Sequence, residues 1–197
     1  MADQLASASD LASLLQKDVD TASAVLALEV CTAVVQAAAD GQRILRVTNT
    51  EVAYGGFGAV LRLKQQPIVS ITSVTYNGTL LTQGTASGNW KPGPLGPWRN
   101  LGWTEYCGAP PSATVVYVSG YDPAGSDPDK QALQLGRGAV LSLARGLFEN
   151  PSGVVREQLD DYAVAYAEAQ AALDASPALK GLLRKQYGPK ARMVSVF

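Results

Sequence analysis

The sequence predicts an α+β fold: a helical bundle with an inserted small antiparallel β-sheet, a long Gly/Pro/Trp loop and an extended C-terminal tail. Three observations predict it. The run Ile68-Val69-Ser70-Ile71-Thr72-Ser73-Val74-Thr75-Tyr76 is β-branched and leads through Asn77-Gly78 into Thr79-Leu80-Leu81. Asn-Gly accepts positive φ at both central positions of a type I′ turn, so this stretch signals a hairpin. A second β-rich run, Ala113-Thr114-Val115-Val116-Tyr117-Val118-Ser119, ends at Gly120. Helical spacing lies on both sides of these strands, with Val25, Leu28, Cys31, Val35 and Ala38 before them and Leu133, Val140, Leu143, Ala144 and Leu147 after. The sheet is therefore read as an insert and not as one end of an α/β series.

A chain of 197 residues is read as one domain. Helices are expected over about 7–40 and 128–187, the β insert over about 44–120, and the tail over 188–197. Apolar residues make up 47% and charged residues 17%, which predicts a surface partly covered by partners. The net charge of −1 gives no bulk drive towards nucleic acid. With no histidine, a Ser-His-Asp triad, a Cys-His pair and His-ligated metal are all excluded. Cys31 and Cys107 read as free thiols, with a disulfide or a reactive thiol as the alternative. The start, Met1-Ala2-Asp3-Gln4, has neither the basic nor the apolar region of a secretion signal. Thr21 to Ala39 holds Glu29, Gln36 and Thr32, so it is expected to be a buried helix and not a membrane span.

Taken in order, Ser7 to Leu11 offers N-caps for a short first helix with Leu11, Leu14 and Leu15. Asp20 is the expected cap of the second helix, which Gly41 stops. Ile44-Leu45-Arg46-Val47-Thr48 reads as a strand, and Gly55-Gly56-Phe57-Gly58 as a turn lacking the following Lys-Ser/Thr of a phosphate loop. Leu61 and Leu63 alternate with Arg62 and Lys64, giving one apolar and one wet face. Along Ile68–Tyr76 the alternation changes phase, which predicts a bulge or a strand buried on both faces. Asp127-Pro128-Asp129 opens a helix with Asp127 as cap, and Gly136, Gly138 and Gly146 inside it predict close backbone contacts. Asn150-Pro151-Ser152-Gly153 ends that helix. Val154 to Asp174 is ambiguous, since its Ala and Glu favour helix while Tyr162, Val164 and Tyr166 alternate like a strand. Ser176-Pro177 starts a last helix lined by Leu179, Leu182, Leu183 and Tyr187 and stopped by Gly188-Pro189.

Two regions carry the candidate surfaces. Gln83 to Ser112 is rich in Gly and Pro and contains all three tryptophans, Trp90, Trp98 and Trp103. Disordered linkers have few aromatics. The indoles therefore either fasten the loop onto the sheet or act as interface anchors. Charge is also segregated near the end of the chain. Glu149 to Asp174 holds six acids and one base, whereas Ser176 to Phe197 holds Lys180, Arg184, Lys185, Lys190 and Arg192 and no acid. Solvated helix faces and a basic end that meets an acidic surface both fit; nucleic-acid binding fits less well, since only Tyr187 interleaves. The tail's Lys190, Arg192, Val194, Val196 and Phe197 alternate in a way that suits strand addition to another protein.

Several of these pieces, in this order, resemble the head-to-tail adaptor (connector) family of long-tailed bacteriophages. They are Val35-Gln36-Ala37-Ala38-Ala39-Asp40-Gly41-Gln42-Arg43-Ile44; Leu61-Arg62-Leu63 with Pro67-Ile68-Val69-Ser70-Ile71-Thr72-Ser73-Val74-Thr75-Tyr76-Asn77-Gly78; Val115-Val116-Tyr117-Val118-Ser119-Gly120-Tyr121; Asn150-Pro151-Ser152-Gly153-Val154; and Asp161-Tyr162-Ala163-Val164-Ala165-Tyr166. The resemblance spans most of the chain, and the Trp-bearing loop is longer than in the smallest members. It implies a structural virion protein at the head–tail junction, made in the host cytoplasm. Such a protein forms a dodecameric ring under the portal, continues the DNA channel and holds the stopper and tail. It implies no catalysis, no cofactor or metal, no membrane, and contact with DNA only as it passes through the channel. It directs the last helix and tail, with Lys190, Arg192, Val194, Val196 and Phe197, towards the portal. Trp90, Trp98, Trp103, Arg184 and Lys185 are then candidates for subunit or stopper contacts.

Two other readings compete with it. A non-enzymatic binding module would use the Trp-rich loop for a carbohydrate or peptide. An enzyme would rest on Asp160, Asp161 and Tyr162, but adjacent acids on a turn are more often surface charge.

Overall fold

The computed structural model describes residues 4–54, 58–103, 112–149 and 160–189. The chain is mixed α+β and divides into two compact units, Arg46–Tyr121 and the flanking Met1–Leu45 with Asp122–Phe197.

The flanking segments form the helical unit: α1 (Ala8–Leu15), α2 (Thr21–Ala38), α3 (Asp127–Glu149), α4 (Asp160–Asp174) and α5 (Pro177–Tyr187). Ser7 starts α1 with a capping box, accepting from the Asp10 N–H while the Asp10 carboxylate accepts from the Ser7 N–H. Asp20 caps α2 through the Ser23 N–H at 2.9 Å. Asp40 and Gly41, both at positive φ, end it. Leu28, Val30, Cys31, Val34 and Val35 of α2 are fully buried, together with Leu11, Val140, Leu173 and Leu183. α2 packs on α1, α3, α4 and α5, so the helix that is apolar on most sides is the centre of its unit.

Several expectations need correction here. α3 begins one residue early, because the Ser126 carbonyl accepts from the Asp129 and Lys130 N–H groups and Asp127 is already helical. Of the three glycines in α3 only Gly136 is closely packed: a Cβ there would lie 3.1 Å from the Tyr187 hydroxyl, whereas Gly138 and Gly146 face open space. Leu182 points outward, 52% exposed. The ambiguous stretch is helical from Asp160, where the helix propensity of its alanines outweighs the alternating tyrosines. The Asn-Pro-Ser-Gly stop and residues 154–159 lie outside the described residues.

The inserted unit holds a four-stranded antiparallel sheet in the order β1 (Val47–Tyr54), β6 (Ser112–Ser119), β2 (Ile68–Tyr76), β3 (Thr79–Leu80). The run expected to close the sheet is therefore central: β6 is paired along its length with both β1 and β2. β2 joins β3 through Asn77 (φ 47°) and Gly78 (φ 79°), the expected hairpin turn. The register slips between Ile68 and Ser70 and between Ile71 and Ser73, which are the bulges that change the phase of the alternation.

The first strand starts at Val47 and not at Ile44. The Ile44 side chain is buried beside Gly136 of α3 and belongs to the helical core. Residues 59–64 do not form a strand. Leu61 and Leu63 donate to the carbonyls of Pro97 and Leu95, but Pro97 has no N–H with which to answer, so only one bridge forms, at Val60. The predicted alternation still holds, with Leu61 and Leu63 buried and Arg62 and Lys64 exposed.

This segment, with the two short strands β4 (Trp90–Lys91) and β5 (Trp98–Arg99), makes a second layer. Between the layers sit Ile71, Val74, Tyr76, Val115 and Tyr117 from the sheet and Leu61, Leu63, Trp90 and Trp103 from the cover. The opposite face of the sheet carries the register rows Thr48–Val118–Ser70, Thr50–Val116–Ser73 and Val52–Thr114–Thr75, none of them charged.

Candidate functional site

The three tryptophans take two different roles. Trp103 is fully buried and its indole N–H donates to the Ala59 carbonyl at 2.8 Å. Its ring meets Tyr76 edge-on, with centroids 5.6 Å apart. Trp90 is also buried and donates to the Leu81 carbonyl at 3.2 Å. Both indoles fasten the Gly/Pro-rich loop onto its own sheet, so neither offers surface to a partner. Trp98 is the exception. It is half-buried, and across the short strands it stands between Val60 on one side and Lys91 on the other.

Lys91 lays its ammonium 5.5 Å from the centre of the Trp98 ring, a cation–π contact. Around this pair, Val60, Pro92, Pro94 and Leu95 line an open cleft of about 310 Å³. Arg99 stacks inward instead, with its guanidinium 4.8 Å from the Tyr76 ring. Lys91 was not among the sequence candidates. Its signal was its register opposite Trp98, which needs the strand pairing to be seen.

One polar network ties the cover to the sheet. The Tyr117 hydroxyl donates to Glu51 at 2.7 Å and accepts from the Gln65 N–H, while the Lys64 N–H donates to the same carboxylate at 3.0 Å. Burial, and then the hydrogen bond to the Glu51 carboxylate, push the Tyr117 phenol well above its usual range. It stays protonated at any physiological pH and acts as a brace, not as an acid.

The second candidate region is α5. Arg184 donates to the Asp40 carboxylate at 3.0 Å, and Lys180 to Asp174 at 2.7 Å. Both pairs are solvent-exposed. Lys185 is exposed in the last turn of the same helix. Tyr187 ends α5 in a different manner. Its hydroxyl accepts from the Gly136 N–H at 2.9 Å and donates to the Ala132 carbonyl, two groups four residues apart in α3. The phenol thus enters the α3 hydrogen-bond ladder at its close-packed glycine, a contact that sequence reading missed. Lys190, Arg192, Val194, Val196 and Phe197 lie outside the described residues, as does Cys107.

Among the described residues no group of His, Cys, Asp or Glu is placed to hold a metal ion. Cys31 is a free thiol whose pKa burial pushes up to about 12. Asp160 and Asp161 lie in the first turn of α4. α2 is long and apolar enough to cross a membrane, yet half of that stretch is buried in the protein. Compared with protein-family models and with curated proteins, the chain matches none.

Proposed function

We propose that the chain is a structural adaptor of a phage head–tail junction, a ring-forming protein that joins the portal to the stopper and tail and continues the DNA channel. The observation that carries this reading is the order of parts. A helical unit is assembled from both flanks of an inserted antiparallel sheet, and its last helix is basic and ends at Gly188-Pro189. The same order of elements is what the resemblance rests on. In this reading α5 leads towards the portal, which the tail residues Lys190, Arg192, Val194, Val196 and Phe197 contact, while Arg184 and Lys185 serve subunit or stopper contacts. The alternative, a non-enzymatic binding module, retains only Trp98 and its cleft, because Trp90 and Trp103 are core residues.

The test is direct imaging. Portal rings from the phage that encodes the chain are mixed with the purified protein and examined by electron microscopy. The expected result is a second ring, probed for twelvefold symmetry, seated on the tail-facing end of the portal. Portal rings that stay bare at saturating protein concentration refute the reading.

A further inference from the structure

Charge divides between the two units. Residues 46–121 contain five bases, Arg46, Arg62, Lys64, Lys91 and Arg99, against two acids, Glu51 and Glu105, a net charge of +3. The remaining eleven bases and fifteen acids give the helical unit −4, which together make the chain's −1. Glu105 lies outside the described residues. Glu51 is half-buried and engaged by Tyr117 and the Lys64 N–H.

The outward rows of the sheet carry Thr, Val and Ser only, whereas Arg62 and Lys91 belong to the covering layer that bears the Trp98 cleft. An aromatic anchor in an apolar cleft with a cationic rim has the anatomy of a protein-binding surface.

We propose that this Trp98–Lys91 face docks on the acid-rich helical unit of a second copy of the chain. The inference rests on the ring-forming reading and names its subunit contact. A contact between like units would set +3 against +3 or −4 against −4, so the unlike pairing is the one that attracts. Repeated from copy to copy, with each copy presenting its sheet unit to the next copy's helices, it is the heterologous, head-to-tail geometry that closes into rings. A nucleic acid would meet the same bases. The cleft wall, however, is Val60, Pro92, Pro94 and Leu95, which suits protein side chains and not phosphates.

The experiment uses the full chain, mixed from natural-abundance and ¹⁵N-labelled stocks and joined by a carbodiimide that links amines to carboxylates. Mixed-isotope peptides should join Lys91 or Lys64 to acids of residues 1–45 or 122–189. In sedimentation velocity at low salt, wild type should self-associate, with the association screened away as salt rises. Arg62→Glu with Lys91→Glu should weaken it roughly tenfold or more, a change of sign at a complementary rim. Trp98→Ala should weaken it with the salt dependence retained. Circular dichroism confirms that the variants fold, as expected at partly or fully exposed positions.

Links confined to one chain, or mixed-isotope links that join only helical units, overturn the proposal. So does a wild-type chain that stays monomeric at low salt. Duplex DNA retarded by wild type and released by the charge reversal, without self-association, assigns the face to nucleic acid instead. Any of these failures leaves the ring itself to be judged by the portal experiment, so the two readings fail separately.

Discussion

Replacing Trp103 by Phe tests whether the Trp-bearing loop is part of the core. The indole N–H bond to Ala59 is lost, worth about 1 kcal/mol net. The Ala59 carbonyl keeps the Arg99 N–H at 2.8 Å, so it is not left unpaired and the larger penalty for a buried orphan does not apply. The smaller ring also leaves a void at a site with no exposure and weakens the edge-on contact with Tyr76, together about 1–2 kcal/mol. The total, about 2–3 kcal/mol, corresponds to a fall in Tm of about 4–12 °C for a chain of this length. Trp98→Phe, at a half-buried ring with no indole hydrogen bond among those described, should cost under about 1 kcal/mol. Differential scanning calorimetry of the two variants beside wild type measures this. Equal shifts for the two, or a Trp103→Phe chain that melts like wild type, refute the division between core and surface tryptophans.

Three further predictions follow from the same geometry. Gly78→Val should lower stability by about 1–3 kcal/mol, since φ 79° suits no β-branched residue; an unchanged chemical-denaturation midpoint counts against the turn. Gly138→Ala, facing open space, should raise stability by about 0.5–1 kcal/mol through helix propensity. Gly136→Ala should fail to gain, because the hydroxyl 3.1 Å from the new Cβ is held by two hydrogen bonds; equal gains at both sites on thermal melting refute this. Asp10 supplies the pH dependence. Partial burial would raise its pKa, but the Ser7 N–H, the Ser7 hydroxyl and Arg137 hold it below the ordinary carboxylate value. Its contribution is therefore fully present above about pH 4 and is lost as pH falls through the lower folded value. Asp10→Asn should be less stable than wild type at neutral pH by roughly 1 kcal/mol or less after solvent screening, with the gap closing in acid; a gap that does not change with pH removes the assignment.

Much of the fold was legible because its signals are local. Asn77-Gly78, the Asp20 cap, the phase change in Ile68–Tyr76 and the helical stripes each need only a few neighbouring residues to be read. What the sequence hid depends on pairing across distance. That β6 is the central strand follows from its partners on both sides and not from its own composition. The absence of a strand at residues 59–64 depends on Pro97, more than thirty residues away. The tryptophans looked equivalent as a cluster, and only the register that sets Trp98 between Val60 and Lys91 separates it from its buried neighbours. The charge asymmetry was sought along the chain, near its end. Each unit also has its own net charge, because the inserted segment carries few acids and both flanks carry many.

The last prediction concerns where α5 stops contributing to the fold and the tail begins. Gly188 caps α5 by donating its N–H to the Arg184 carbonyl at 2.8 Å, and Pro189 cannot extend the helix. Tyr187, one residue earlier, is 4% exposed and spans two backbone groups of α3. The boundary is therefore sharp, and two truncations should separate the two sides of it. Removing Lys190–Phe197 leaves Tyr187 and the Gly188 cap in place, and the melting temperature of the free protein should change by no more than about 2 °C, about 1 kcal/mol or less for a chain of this size. Removing Tyr187–Phe197 takes away a buried aromatic and opens space beside Gly136, which should cost about 3–5 kcal/mol. If the tail adds as a strand to the portal, the shorter truncation, although stable, should yield DNA-filled heads without tails when it replaces the full chain in an infection. The same stable truncation joining heads to tails at normal yield would remove the portal-binding role from the tail. A large loss of stability on removing Lys190–Phe197 would instead make those residues part of the fold, and would place the boundary beyond Pro189.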